Sequence, residues 1–202
     1  MPRRTGRDRL LRLARRRGAL GTRDVVGRGI HREVLSRVVR EGALERVSRG
    51  QYRVPSHPVT EHHGLTLAAA AVPGGVICLL SALGFHGIGT ELPFEVWIAI
   101  DRRARRPALR HPPLRIARFT GRAFRSGIET RRVEGQAVRV YGIAKTIADC
   151  FKYRNKIGVG VALEALRDAW RAHRFTMDEM SRYARVCRVE RVMRPYLEAL
   201  VA

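Results

Sequence analysis

The apolar positions of residues 5–54 follow a helical period twice and then a strand-like alternation. A first helix is predicted to end at Gly18, with its apolar residues on one face. These residues are Leu10, Leu11, Leu13 and Ala14. A short helix is predicted over residues 23–26 with Thr22 as its N-cap, and a longer amphipathic helix over residues 30–41.

A glycine-containing turn joins these two helices, and a short β-hairpin follows them. Residues 44–47 and 51–54 alternate as strands around the turn formed by residues 48–50. Helix, turn, helix and hairpin in this order are typical of a winged helix-turn-helix. The sequence therefore predicts such a domain, which binds DNA, over residues 1–55.

The rest of the chain combines helices with short strands. Pro55 and Pro58 mark a break, and a second domain is predicted over residues 59–202. A nearly all-apolar helix is predicted over residues 76–86, in the centre of the core. The other predicted elements are a helix over 61–72, strands over 95–100, 114–119, 128–133 and 137–141, and helices over 143–154, 158–173, 177–187 and 189–201. The predicted fold class is α+β: an N-terminal winged helix-turn-helix followed by a larger mixed α/β domain with a small sheet and a C-terminal helical segment.

The formal net charge of +22 is concentrated in two blocks, and this distribution indicates the kind of partner. Residues 1–54 carry a net charge of +11 and residues 101–140 carry +9, whereas residues 55–100 contain no Lys or Arg. A GC-rich coding sequence explains the preference for Arg over Lys, but not an excess of bases over acids in two blocks. The pattern favours a nucleic acid as the partner.

The exposed face predicted for the second helix of the pair carries the side chains expected to read DNA. In a helix-turn-helix, the N-terminal half of this helix enters the major groove. Arg32, Ser36 and Arg40 are four residues apart and therefore share one stripe. Arg32 and Ser36, with His31 beside them, are predicted to contact bases, since Arg bonds guanine bidentately. Arg37 and Arg40 are predicted to hold phosphates.

The hairpin and the first helix of the pair supply further predicted contacts. Arg49 lies at the hairpin tip, where we expect it to reach a phosphate or the minor groove, with Arg46 and Arg53 on its flanks. Thr22 and Arg23 begin the supporting helix, where backbone N–H groups and the helix dipole favour a phosphate.

The second basic block allows three interpretations. Arg102, Arg103, Arg105 and Arg106 lie on a loop bounded by proline. They can extend the DNA footprint, form a solvated loop, or present a surface to an acidic protein or RNA. We favour the extended DNA contact.

The sequence yields no catalytic or metal-binding set. Ser81 and His86 lie five residues apart on one apolar helix, which favours structural roles. His62 and His63 are adjacent, so on a helix they point in different directions. Asp149 is a single carboxylate on an apolar helix, which capping or pairing with a basic side chain explains. We expect no cofactor, no metal and no enzymatic activity.

Cysteine spacing and the length of the apolar runs favour a cytoplasmic location. Cys78, Cys150 and Cys187 are widely spaced in apolar or helical sequence and are predicted to be buried free thiols. No apolar run approaches the ~20 residues of a transmembrane helix. The basic N-terminus lacks the apolar core of a signal peptide.

Several segments resemble the AbiEi family, the antitoxin component of AbiE-type abortive-infection systems of bacteria. Near the N-terminus the resemblance rests on LERVSRGQYRV. In the second domain it rests on GGVICLLSALGFHGIGTELP followed by EVWIAI, and on GIAKTIADCFKYRNKIG followed by VALEALRDA. Ser81, Lys145, Thr146 and Asp149 lie within these motifs and are assigned no chemistry.

The resemblance implies a DNA-binding antitoxin that represses its own operon by binding inverted repeats. The winged domain would bind this operator, and the second domain would counteract a toxin with a nucleotidyltransferase-like fold. Family antitoxins of this type IV kind act without a stable complex with the toxin. A monomer or weak dimer is expected in solution, with two copies on double-stranded DNA.

Three other interpretations stay open. One is a winged-helix transcription regulator without a toxin partner, and another is a winged-helix domain fused to an unrecognised enzyme domain. The third is an architectural protein that binds any duplex equally, with a steep salt dependence.

Overall fold

The structure is a computed structural model that describes residues 5–17, 19–48, 50–55, 60–107, 109 and 111–201. The chain divides into two compact units. The first comprises residues 1–73, 107–113 and 131–138, and the second comprises residues 74–106, 114–130 and 139–202. Each unit has a hydrophobic core of its own.

The N-terminal part of the first unit contains three helices and a small antiparallel sheet. The elements are α1 (Gly6–Arg17), β1 (Ala19–Gly21), α2 (Thr22–Val26), α3 (Arg32–Arg40), β2 (Glu45–Ser48) and β3 (Gln51–Arg53). The strand order is β1-β3-β2, with β3 antiparallel to both neighbours. This arrangement confirms the predicted N-terminal helix-turn-helix followed by a hairpin, and it adds β1 as a third strand.

The core of this part is formed by the apolar faces that the helical period predicts. Leu10 and Ala14 of α1, Val25 of α2, and Leu35 and Val38 of α3 are all buried. Each large aliphatic side chain buried in this way contributes about 1.5–3 kcal/mol relative to an exposed position. The face of α3 opposite Leu35 and Val38 is thereby held towards solvent.

The helix starts differ from the predicted ones by one or two residues. The N-cap of α2 is Gly21 and not Thr22, because the Asp24 carboxylate accepts a hydrogen bond from the Gly21 N–H at 3.0 Å. The N-cap of α3 is His31, whose backbone is extended, so the predicted start at residue 30 is two residues early.

The first unit also contains α4 (His63–Ala71), which is anchored by a single glutamate. Glu134 bonds His63 Nδ1 at 2.7 Å, and it accepts hydrogen bonds from the Thr60 N–H at 2.8 Å and hydroxyl at 2.9 Å. Burial raises the pKa of Glu134, but the bonds from His63 and Thr60 outweigh this effect and the pKa is lowered overall.

The lowered pKa of Glu134 makes its contribution to stability pH-dependent. This contribution is present above the ordinary pKa of a glutamate and is lost as the pH falls through the lowered value. The Glu134→Gln variant is therefore expected to lose stability less steeply than the parent between about pH 5 and pH 3. Urea unfolding followed by circular dichroism measures this, and equal slopes for the two proteins would show that Glu134 is not the titrating group.

The second unit contains a mixed five-stranded sheet, except for residues 131–138, which belong to the first unit. Its first elements are β4 (Val76–Ile77), α5 (Leu79–His86), β5 (Val96–Asp101), β6 (Leu114–Phe119), α6 (Gly121–Arg125), β7 (Ile128–Val133) and β8 (Gln136–Tyr141). The strand order is β6-β5-β4-β8-β7. Strand β4 is antiparallel to β5 and parallel to β8, and β5 is parallel to β6.

The prediction of a single apolar helix over residues 76–86 is wrong. Val76 and Ile77 form the central strand β4, and the helix begins only at Leu79. Both residues are β-branched and fully buried between two neighbouring strands, where such side chains pack well. A continuous apolar run has no period that separates a buried strand from a buried helix. The helical part ends as predicted at Gly87, with φ 64°.

Helices complete the second unit. They are α7 (Ile143–Lys152), α8 (Arg154–Ile157), α9 (Val159–Arg171), α10 (Met177–Cys187) and α11 (Glu190–Val201). Helix α7 is buried from Ala144 to Phe151 and contacts α5, α9 and α10. The predicted α+β class with a C-terminal helical segment is confirmed.

Candidate nucleic-acid interface

The outer face of α3 presents the basic stripe that the spacing predicts. Arg32, Ser36 and Arg40 are exposed along this face, and Arg37 lies beside them. With the described residues, Arg32, Arg37 and Arg40 form no salt bridge. His31 is also exposed, but it precedes the helix as its N-cap. The guanidinium groups of α3 are therefore available to bases and phosphates.

The turn between α2 and α3 fixes the angle at which α3 emerges. Gly29 has φ 67°, a backbone conformation that glycine adopts without strain. The N–H groups of Gly29 and Ile30 bond the carbonyls of Val26 at 2.9 Å and Val25 at 3.3 Å. Ile30 then packs into the core and anchors the start of α3.

The supporting helix α2 is tied to the hairpin. The Thr22 N–H donates to the Gly50 carbonyl at 2.9 Å, and its hydroxyl donates to the same oxygen at 3.3 Å. Asp24 forms a salt bridge with Arg17 at 2.6 Å. Thr22 and Arg23 are the two residues predicted to hold a phosphate at the start of this helix. Both hydrogen-bond donors of Thr22 are occupied by the Gly50 carbonyl. Arg23 is exposed.

The hairpin of β2 and β3 carries two of the predicted contacts in different environments. Arg53 lies opposite Glu45 in the strand register, and its Nε forms an ion pair with the Glu45 carboxylate. Arg46 lies opposite Tyr52 and is exposed. A register shift follows Arg46, close to the hairpin tip. The predicted tip contact, Arg49, lies outside the described residues.

The second basic block forms an anchored turn in the second unit. Arg102, Arg103, Arg105 and Arg106 are all exposed after the end of β5. The Asp101 carboxylate accepts a hydrogen bond from the Arg103 N–H at 2.9 Å. The Arg118 guanidinium of β6 donates hydrogen bonds to the carbonyls of Arg102 and Ala104 in the same turn. The extended DNA contact predicted for these arginines remains a prediction.

A buried polar cluster lies at α7, where the sequence showed a single carboxylate. Asp149 pairs with Lys145 at 2.5 Å, and both side chains are fully buried. Of the two roles expected for Asp149, capping or pairing with a basic side chain, the structure shows the pairing. The Cys187 thiol donates to the other Asp149 oxygen at 3.1 Å. Burial, followed by the charge of Asp149, raises the pKa of Cys187, so its sulfur stays protonated and is a poor nucleophile.

The other sequence candidates for chemistry make structural contacts. Ser81 Oγ accepts a hydrogen bond from the Trp97 N–H at 2.9 Å, and His86 Nε2 bonds the Tyr141 carbonyl at 2.8 Å. The three cysteines are buried free thiols, as predicted. In the part of the chain that the structure describes, no three His, Cys, Asp or Glu side chains meet as metal ligands would. Among these same residues, no helix is both long and apolar enough to cross a membrane.

The helix pair, with exposed arginines on its second helix and a hairpin after it, has the arrangement of a helix-turn-helix domain. More specifically, residues 8–55 match the sequence model of a family described as transcriptional regulator, AbiEi antitoxin. The match covers the segment from α1 to the end of the hairpin, and it confirms the N-terminal part of the predicted resemblance. A comparison with curated proteins finds none that matches the chain.

Proposed function

We propose that the protein is a DNA-binding transcriptional autorepressor and antitoxin of an AbiE-like type IV toxin-antitoxin system. It binds inverted repeats upstream of its own operon and counteracts a nucleotidyltransferase-like toxin. The observation that carries the proposal is the basic stripe on α3, whose arginines form no salt bridge with the described residues, within the segment that matches a family of antitoxin regulators.

The geometry of α3 supports base contacts from the start of the helix and phosphate contacts from its end. Arg32 and Ser36 lie on its first two turns, the part that a helix-turn-helix inserts into the major groove. An arginine there bonds O6 and N7 of a guanine with two parallel hydrogen bonds. Arg37 and Arg40 follow towards the C-terminal end, where they hold phosphates and fix the register.

Two copies of the protein occupy one operator in this mechanism. One recognition helix reads only a few base pairs, so a single copy has little specificity. Two copies on an inverted repeat place their recognition helices about 34–36 Å apart, one turn of the duplex. Occupancy of such a site in front of the gene blocks transcription of the operon.

Loss of a phosphate contact tests the positioning role. The Arg37→Ala variant is expected to bind operator and random DNA more weakly by the same factor and to lower the salt slope of log affinity by about one. The reason is that one fewer phosphate is neutralised and fewer counterions are released. Fluorescence anisotropy at several salt concentrations measures the slope. The matched control is Arg171→Ala, an exposed arginine of α9. A slope that falls equally in both variants would mean that only net charge matters.

The antitoxin role is assigned to the second domain, on the strength of its resemblance to the family. Co-expression with a nucleotidyltransferase-like toxin tests it, with growth as the readout. A variant that carries both Arg32→Ala and Arg37→Ala is expected to lose repression of a reporter gene but still to rescue growth. Failure of the unmodified chain to rescue growth would reduce the proposal to transcriptional regulation.

A further inference from the structure

A cavity of about 720 Å³ in the second unit is surrounded by positive charge. It lies between the end of β6, α6, the end of α7 and α10. Its basic side chains are Arg118, Arg122, Lys152, Arg182, Arg185 and Arg188. We call it the basic cavity. All six of these residues are exposed, so their charged groups are open to solvent and to a ligand.

The positive charge of the basic cavity is not balanced by acids. Among the described residues that line it, the one carboxylate is Asp149, which is already paired with the buried Lys145. Arg185 approaches Glu190 at 4.0 Å, but both side chains are exposed, and a surface pair of this kind contributes little. Arg182 lies three residues before Arg185 on α10, where like charges destabilise a helix. Basic side chains therefore outnumber acidic ones among the described residues that line the cavity.

One of the cations, Arg118, is held in position by backbone carbonyls. The Arg118 guanidinium donates to the carbonyls of Arg102 at 2.7 Å and Ala104 at 3.0 Å, which orient it without neutralising its charge. Arg188 follows α10 in a left-handed conformation with φ 58°. Helices usually place glycine at this position, because a side chain there is strained. Arg188 is nevertheless among the residues that line the cavity.

We infer that the basic cavity binds a small molecule carrying an oligophosphate group, such as a nucleoside triphosphate. Arginine recognises phosphate with paired hydrogen bonds, and several arginines around one space suit several adjoining phosphates. The volume lies within the range of about 300–1,000 Å³ typical of small-molecule sites. Phe119 and Tyr153 add aromatic surface to the lining, which suits a base attached to the phosphates. This site is independent of the DNA binding proposed for α3.

Isothermal titration calorimetry of the full chain tests the inference with three probes: sodium triphosphate, ATP and adenosine. Triphosphate and ATP are expected to bind at one site, and adenosine is not. The variants Arg122→Glu and Arg182→Glu are expected to weaken binding tenfold or more, the size of a lost charge-assisted hydrogen bond. The control Arg171→Glu has the same change of charge on α9, outside the cavity lining. It is expected to change the affinity less than threefold.

The relative affinities for the three probes identify the ligand class. A much higher affinity for ATP than for triphosphate supports a nucleotide as the ligand. Equal affinities support recognition of the phosphates alone. An equal loss of affinity in all three variants would show that only net charge matters and would overturn the inference. The inference would also be overturned if neither triphosphate nor ATP binds. Duplex DNA that binds more tightly than ATP, and is weakened by the same two cavity variants while ATP binding is not, would overturn it in favour of an extended DNA surface. The variants are exposed substitutions, and their circular dichroism is expected to match that of the parent.

Discussion

Replacement of Lys145 by methionine is expected to lower the free energy of unfolding of the second unit by about 3–5 kcal/mol. The ammonium group of Lys145 lies 2.5 Å from the Asp149 carboxylate and 4.1 Å from the centre of the Tyr141 ring. Both partners are fully buried, so removal of one leaves the other charged in a medium that cannot solvate it. A surface substitution has no such effect.

Both tryptophans of the chain, Trp97 and Trp170, lie in the second unit, so their fluorescence follows the unfolding of this unit in urea. The control Lys152→Met alters an exposed lysine of the same helix and is expected to change stability by no more than about 0.5 kcal/mol. The double variant Lys145→Met with Asp149→Leu removes both charges and is expected to recover most of the loss.

The loss in Lys145→Met is also expected to depend on pH. Burial already raises the pKa of Asp149, against the lowering effect of Lys145, and removal of Lys145 raises it further. A carboxyl whose pKa is raised by folding favours the folded state most below the pKa that it has in the unfolded chain. This contribution to stability is lost as the pH rises through the pKa that it has in the folded protein. The loss of unfolding free energy in Lys145→Met should therefore be largest at neutral pH and become smaller as the pH is lowered. A deficit below about 1 kcal/mol at pH 7 would contradict a buried ion pair at this place.

The second large effect is expected at the operator. Arg32→Ala should weaken operator binding by about 1–3 kcal/mol and relax the preference at one base position. The exposed Arg32 guanidinium begins α3 and forms no salt bridge with the described residues, so its loss removes base contacts rather than fold contacts. Competition binding on a set of operators with single base changes measures both quantities.

The contrast with Arg37→Ala separates base reading from phosphate contact. If Arg32→Ala weakens random and operator DNA by the same factor, Arg32 does not read a base. The Arg32→Lys variant keeps the charge but loses the fork-shaped pair of donors. It is expected to restore the affinity for random DNA without restoring the base preference.

The elements with a clear period were predictable from the sequence, and those that depend on distant partners were not. The face of α3 with Leu35 and Val38 buried follows from spacing alone. Strand β1 spans three residues and exists through its pairing with β3, a partner about 32 residues away along the chain. Val76 and Ile77 form a strand because β5 and β8 flank them, which the apolar run itself does not reveal.

The same distinction applies to the functional sites. The basic stripe of α3 is local, since a spacing of four residues puts Arg32 and Ser36 on one face. The basic cavity instead joins Arg118, Arg122 and Arg182 from separate elements. In a chain with 40 basic residues, no spacing identifies such a group before the elements are packed.

A mobility-shift titration on the DNA upstream of the protein's own gene tests the central claim most directly. The comparison is a scrambled duplex of equal length and composition, at two salt concentrations. An operator-reading repressor is predicted to bind the upstream DNA selectively and to keep this selectivity at the higher salt concentration. Equal binding to both duplexes that disappears at the higher salt concentration would contradict the claim and reduce the first unit to a charged module.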